Sequence, residues 1–302
     1  MIYLVFPTSW HPSQPYLSLP SLKAFLNMHG VHDVVQRDLA IELLNDLCTW
    51  EKTKPLYERI IRELNELRSR PRLTQMEAEK FNKLQEAEEI VMALKDQIDS
   101  AVASQRSPEF YEIDQYMENL KIMDVWLDNI LAPYYPSQLT VIGSQMRFSP
   151  YSSEEVIDSF NHPEENFFYD LYQQWYLPGI LEEDIDILGI SITSVEQIIS
   201  GLTLAYLVKQ NRPEIHITIG GSVFTKLVDR LEKEGSHLFN FVDSFVVHEG
   251  ETPLLKLVEH LRGDGDLSKV PNLIYKQDGE VKVNRPFAKE ELNALPTPDF
   301  DG

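Results

Sequence analysis

Between residues 185 and 262, three mostly apolar runs of strand length alternate with three segments of helical spacing, and this alternation constrains the fold more than any other feature. The runs cover 185–192, 216–219 and 241–247, and the helical segments cover 195–211, 224–234 and 252–262. Continuously apolar strands are covered on both faces, and parallel neighbours need a crossover that a helix supplies. The pattern therefore predicts an α/β protein with a doubly wound parallel sheet. The first forty residues follow the same plan, with a strand at 2–6, a helix at 17–28 stopped by Gly30, and a second strand at 31–35. Asp38 then falls at the carboxyl end of that strand.

The alternation breaks between these two blocks. From about residue 39 to residue 131 the spacing is helical, with Leu56, Ile60, Leu64 and Leu67 on one stripe and Phe81, Leu84, Val91, Leu94 and Ile98 on another. Pro71 separates them, so a helical hairpin is expected, followed by a third helix over 110–131 that Pro133 and Pro136 end. Glu86, Glu88 and Glu89 crowd the polar side, which reads as a solvated face rather than a catalytic or metal-binding group. Residues 133–179 are rich in aromatics: Phe148, Tyr151, Phe160, Phe167, Phe168, Tyr169, Tyr172, Trp175 and Tyr176. Such a run can line an apolar cofactor, but it reads first as core that pins the helical block to the sheet. Near the end, 272–275 and 281–283 flank Gln277, Asp278, Gly279 and Glu280, a hairpin signal because Asp-Gly supplies positive φ. Residues 295–302, with Pro296 and Pro298, read as a linker.

The chain carries 48 Asp and Glu against 27 Lys and Arg, a net charge of -21, and no basic patch. Such a surface repels a phosphate backbone, so no nucleic-acid partner is expected. No run approaches the roughly 20 apolar residues that span a bilayer, and the helical block is acidic, so no membrane partner is expected either. The N-terminal apolar run lacks the basic flank of a signal peptide, which points to the cytoplasm. A single cysteine, Cys48, excludes disulfide frameworks, thiolate zinc sites and a cysteine-held cluster within this chain.

In an open parallel sheet a ligand binds beyond the carboxyl ends of the strands, where strand order reverses. Four loops are expected there, holding Ser9, Trp10 and His11; Ser191, Thr193 and Ser194; Gly220, Gly221 and Ser222; and His248, Glu249, Gly250 and Glu251. Paired glycines let a planar ligand press against the main chain, although alone they read as a strand-to-helix turn. Ser191 and Thr193 can donate to a ring or phosphate or cap the next helix, and Ser194 is the better placed to cap. Glu249 and Glu251 also suit a helix N-terminus. His248, like His162, His216, His237 and His260, reads as a loop or core histidine. No Ser-His-Asp order, phosphate loop or metalloprotease spacing is present.

The stretch Ser191-Ile192-Thr193, followed after a helix and a strand by Gly220-Gly221, resembles the Ser-x-Leu and Gly-Gly signals of cobalamin-binding domains, with Thr193 in place of leucine. The surrounding text, LPSLKAFLNMHGVHDVVQRDLAIEL, DIDILGISITSVEQIISGLTLAYLVKQNRPEIHITIGG, VDSFVVHEGETPLLKLVEHL and VPNLIYKQDGEVKVNRP, resembles the N-terminal domain of cobalamin-dependent radical S-adenosylmethionine enzymes. The resemblance covers about residues 1–47 and 182–302.

That resemblance implies a flavodoxin-like, Rossmann-like cobalamin-binding fold, with the corrin over the carboxyl ends of the strands. Ser191, Thr193, Gly220, Gly221 and Ser222 would receive the nucleotide tail, Ser194 would belong to the same cofactor site, and Glu249, Gly250 and Glu251 would help to build the pocket. The loop of Ser9, Trp10 and His11 would face the lower side of the ring. Members that bind cobalt through histidine carry Asp-x-His-x-x-Gly in this loop, whereas here it reads Thr8-Ser9-Trp10-His11-Pro12-Ser13-Gln14. His11 has no carboxylate orienter in that motif, and no metal ligand is expected from this chain. The Cys-x-x-x-Cys-x-x-Cys motif of the radical step is absent, so S-adenosylmethionine and a 4Fe-4S cluster are expected only in a C-terminal radical SAM domain beyond it. The implied division is a cobalamin-binding domain at 1–38 and 182–268, an acidic helical and aromatic-rich insertion at 39–181, and a β-hairpin and linker at 269–302. The full enzyme would carry out methyl transfer or other radical chemistry. An alternative is a non-catalytic binding or regulatory module that docks through the insertion. A nucleotide or flavin binder would need a phosphate-binding glycine loop after the first strand, which is missing. Gly221→Trp is expected to block cobalamin without unfolding the chain.

Overall fold

The computed structural model describes residues 1–11, 14, 16–263 and 265–301. Pro12, Ser13 and Pro15 of the first loop, Asp264, and the linker residue Gly302 lie outside the described residues. The chain opens with β1 (Ile2–Phe6), α1 (Ser18–Met28) and β2 (Val34–Asp38). Helix α1 ends as expected: Gly30 takes φ +81°, and the Val31 N–H folds back onto the Leu26 carbonyl at 3.0 Å. That return consumes the residues expected to begin the second strand, so β2 starts at Val34 rather than at residue 31. Asp38 then caps the next helix, accepting from the N–H groups of Ala40 and Ile41 at 3.0 and 3.2 Å.

The helical block comprises α2 (Leu39–Leu47), α3 (Trp50–Arg68), α4 (Gln75–Ser104) and α5 (Ile113–Ile130). After it come a two-stranded antiparallel ribbon, β3 (Gln138–Leu139) and β4 (Ser144–Gln145), and the helices α6 (Ser153–Ser159), α7 (Phe167–Trp175) and α8 (Leu177–Glu182). The α3 stripe meets Leu84, Val91 and Ile98 of α4 in one buried cluster, while Glu86 and Glu89 are exposed. Phe148, Phe160, Phe167, Phe168, Tyr172 and Tyr176 belong to the same cluster, which continues unbroken to Leu188, Ile190, Ile217 and Ile219. The aromatic run is thus core, Tyr151 excepted, and the helical block shares that core with the sheet. Within the block the Trp126 indole donates to the Leu47 carbonyl at 2.6 Å, and the Tyr172 hydroxyl of α7 meets Thr8 Oγ1 in the loop after β1 at 2.8 Å.

The second α/β block runs β5 (Ile187–Ser191), α9 (Gln197–Asn211), β6 (His216–Gly220), α10 (Ser222–Lys226), α11 (Val228–Glu234), β7 (Ser244–Val246) and α12 (Glu251–Leu261). The single helix expected over 224–234 begins earlier, directly after Gly221, and is broken at Leu227. Strand β7 is shorter than expected because the Asp243 carboxylate takes the Ile217 N–H at 2.7 Å and Lys209 at 2.7 Å. A hairpin of β8 (Leu273–Gln277) and β9 (Glu280–Val283) follows, turned by Asp278 and Gly279 at φ 52° and 82°.

These strands form a seven-stranded, mostly parallel sheet in the order β2-β1-β5-β6-β7-β8-β9, with β7–β8 and β8–β9 antiparallel. The architecture is α/β and compatible with a Rossmann-like fold. Order reverses between β1 and β5, so the loops after these strands diverge there. Residues 299–301 do not run free as a linker: the Asp299 N–H donates to the Pro20 carbonyl, its carboxylate accepts from Asn27, and its carbonyl accepts from Gln36, each at 3.0 Å. Among the described residues no helix is long and apolar enough to cross a membrane.

Candidate functional site

Register partners in a parallel sheet point to the same face, and successive residues point to opposite faces. One face of the central strands carries Val5, Ile190, Ile219 and Phe245 in one row, with Leu188 beside Ile217. The other carries Leu4, Gly189, Thr218 and Ser244, and one step further toward the carboxyl ends, Ser191 beside Gly220. The first face is covered by α9 and shares one continuous buried cluster with the helical block. Along the second, α1 and α12 meet mostly small residues, with the Leu4 side chain lying over Gly189 and open space left above Gly220.

The result is a slot of about 400 Å³ between the sheet, α1 and α12, within the usual range for small-molecule sites. Gly189, Ser191, Thr218 and Gly220 line its floor, and Leu19, Leu22, Val246 and Leu254 line its apolar walls. Thr193, Gly221, Ser222, Thr225, His248, Glu249, Gly250 and Glu251 surround its mouth. Eight of the twelve residues expected from sequence therefore converge: Ser191, Thr193, Gly220, Gly221, Ser222, Glu249, Gly250 and Glu251.

The other four go elsewhere. Ser9, at φ +76°, donates its hydroxyl to Ser144 Oγ at 3.2 Å, and Trp10 packs edge-on against Phe6 and Tyr16. Neither they nor His11 line the slot. Ser194 and Trp10 instead border a second cavity of about 640 Å³ on the far side of the loop after β5, beside Phe224 and Leu202. No hydroxyl caps α9. The buried Gln197 side chain instead ties down the loop before that helix, accepting at Oε1 from the N–H groups of Thr193 and Ser194 at 3.0 and 3.1 Å and donating to the Pro7 carbonyl at 2.8 Å. This one amide joins the loops on both sides of the reversal point.

The two glycines divide their duties. Gly220 faces the slot, with room for a side chain: an added Cβ would lie 3.6 Å from its nearest neighbour, the Val246 carbonyl oxygen. Gly221 holds φ +110°, and a Cβ there would fall 2.1 Å from the Ile192 carbonyl oxygen. Its role is the close approach of two protein backbones. Gly221→Trp would therefore break that approach, and the expectation that it leaves the fold intact is overturned.

At the mouth, the N-terminus of α12 is met from the C-terminal segment, which sequence reading missed. The Glu290 carboxylate accepts from the Thr252 N–H at 2.9 Å and its hydroxyl at 3.0 Å, and the Glu290 N–H donates to Glu249. Burial, with Glu290 and Glu249 nearby, holds the Glu251 carboxyl above its usual range. Gly189, Thr218 and Leu4 were also missed as lining residues, although the alternation of large and small residues in ILGIS and HITIG carries that information.

Other reactive groups are spoken for. Burial pushes the Cys48 thiol well up, which leaves it inert. His162, Glu164 and Glu165 come close enough to hold an ion, but His162 pairs with Glu164 at 3.0 Å and Arg147 binds Glu165 in an ion-pair group on the surface. Compared with known proteins, the chain matches no family model, no curated protein and no solved structure. The site is defined by its own geometry.

Proposed function

We propose that the protein is the cobalamin-binding domain of a radical S-adenosylmethionine enzyme, holding the corrin over the carboxyl ends of the sheet with its nucleotide tail in the slot. The observation that carries this reading is the floor of Gly189, Ser191, Thr218 and Gly220 beneath a slot that opens at the reversal of strand order. The parallel order 2-1-5-6-7 is that of a flavodoxin-like sheet when its strands are counted in sequence. The fit to a cobalamin tail rests on chain chemistry: apolar walls of Leu19, Leu22, Val246 and Leu254 for a ring, hydroxyls of Ser191 and Thr218 for its polar edges, and Gly220 leaving room at the floor. Ser18 Oγ is buried without a partner at the same slot and offers a further polar contact. When bound, the cofactor would supply methyl transfer or electron transfer; the protein's residues bind it, orient it and exclude water. The cluster and S-adenosylmethionine belong to a separate radical SAM domain in this reading.

The test is gel filtration of the chain after mixing with hydroxocobalamin, with the visible spectrum of the protein fraction recorded. Near-stoichiometric corrin absorbance supports the reading, and Gly220→Leu, which projects a side chain into the slot, should abolish it. A second reading, a docking module, draws on Tyr111, Ile113 and Met117, which are 84%, 68% and 55% exposed around the start of α5. A folded but colourless protein fraction favours that reading.

A further inference from the structure

A buried hydrogen-bond chain crosses β6 and β7 beneath the slot. His216 Nε2 lies 2.9 Å from Ser244 Oγ, and Ser244 donates to Thr218 Oγ1 at 2.9 Å. A hydroxyl has one proton to give. Because the Ser244 proton goes to Thr218, the imidazole must donate through Nε2. Burial holds the His216 pKa down to about 4, so the ring is neutral near pH 7 and this tautomer is fixed.

The consequence reaches the ligand. Thr218 Oγ1 accepts from Ser244, while among the described residues its own proton has no acceptor; the residue is 4% exposed and lines the slot. A buried donor left without a partner is costly, and a bound acceptor atom removes that cost. Chain polarity thus leaves the Thr218 proton free to be donated to whatever enters.

We infer that the slot selects a planar heteroaromatic ring carrying an sp2 ring nitrogen, and that Thr218 is the residue that recognises it by donating a hydrogen bond. This rests on the cobalamin reading and sharpens it: cobamides with a benzimidazole or purine lower ligand are accepted over those with a phenolic one. A phenolic ring fills the same space but offers no ring nitrogen. It leaves the Thr218 proton unpaired.

The experiment measures equilibrium binding of cobalamin and of p-cresolyl cobamide to the full chain, its Thr218→Val variant and its Thr218→Ser variant. The wild type should bind cobalamin about tenfold or more tightly than the phenolic form. Thr218→Val should erase that ratio by weakening cobalamin alone, and Thr218→Ser, which keeps the donor, should restore it. Equal binding of both cobamides by the wild type, or an unchanged ratio in Thr218→Val, overturns the inference and leaves the cobalamin reading standing. Binding of neither cobamide by folded wild type overturns both. Unfolding of Thr218→Val alone is met by Thr218→Ser, in which a retained preference supports the donor and a lost one overturns it.

Discussion

The two faces of the central strands are made from the same ten residues and do opposite things. In ILGIS and HITIG, the residues on the face covered by α9 are Leu188, Ile190, Ile217 and Ile219, all at most 1% exposed, while those facing α1 and α12 include Gly189, Ser191, Thr218 and Gly220. One face uses bulk to fill space and so joins the buried cluster that runs on into the helical block. The other withholds bulk and so leaves a slot. A strand's period of two lets one pentapeptide specify both outcomes, because each residue change is felt on one face only.

If this division holds, damage to the packed face should cost stability and damage to the slot face should cost binding. The largest expected loss is for Phe245→Ala, about 4 kcal/mol by urea denaturation, because a fully buried ring leaves a cavity. Acid should act next. The folded His216 pKa, about 4, lies below its ordinary 6.5, so the unfolded chain takes up the proton first and stability falls as pH drops between those values. The loss approaches about 3 kcal/mol, and His216→Asn should flatten that part of a stability-against-pH curve. Gly221→Ala comes third, at about 2 kcal/mol, from its positive φ and the contact with Ile192. Gly220→Leu should cost less than about 1 kcal/mol, since its side chain enters open space, yet eliminate corrin retention. If Gly220→Leu instead melts with the Phe245→Ala variant, the slot face is packed core and the contrast between the faces fails.

Much of the fold was legible because strand and helix periods are local. The positions of β1, α1, β6, α12 and the Asp278-Gly279 turn follow from residues close together in sequence, as does the α3–α4 hairpin about Pro71. The loops that gather at the mouth were legible for the same reason. What escaped was set by distant partners: Gln197 reaching Pro7, Glu290 reaching Thr252, and the closing segment reaching α1. No local pattern encodes such pairings. The slot floor was a different omission, since 185–192 read as uniformly apolar when its alternating glycine and serine already distinguished one face from the other.

The pairing of β1 with β5 also sets an order in time. Helices α3, α4 and α5 contact near neighbours and can assemble as soon as they exist, whereas joining β1 to β5 must close a loop containing that whole block. The slot waits longer still, because one wall comes from Leu19 and Leu22 and the facing wall from Leu254. During synthesis it can close only after most of the chain has left the ribosome, so a ligand held there can stabilise the finished molecule but cannot template its early folding.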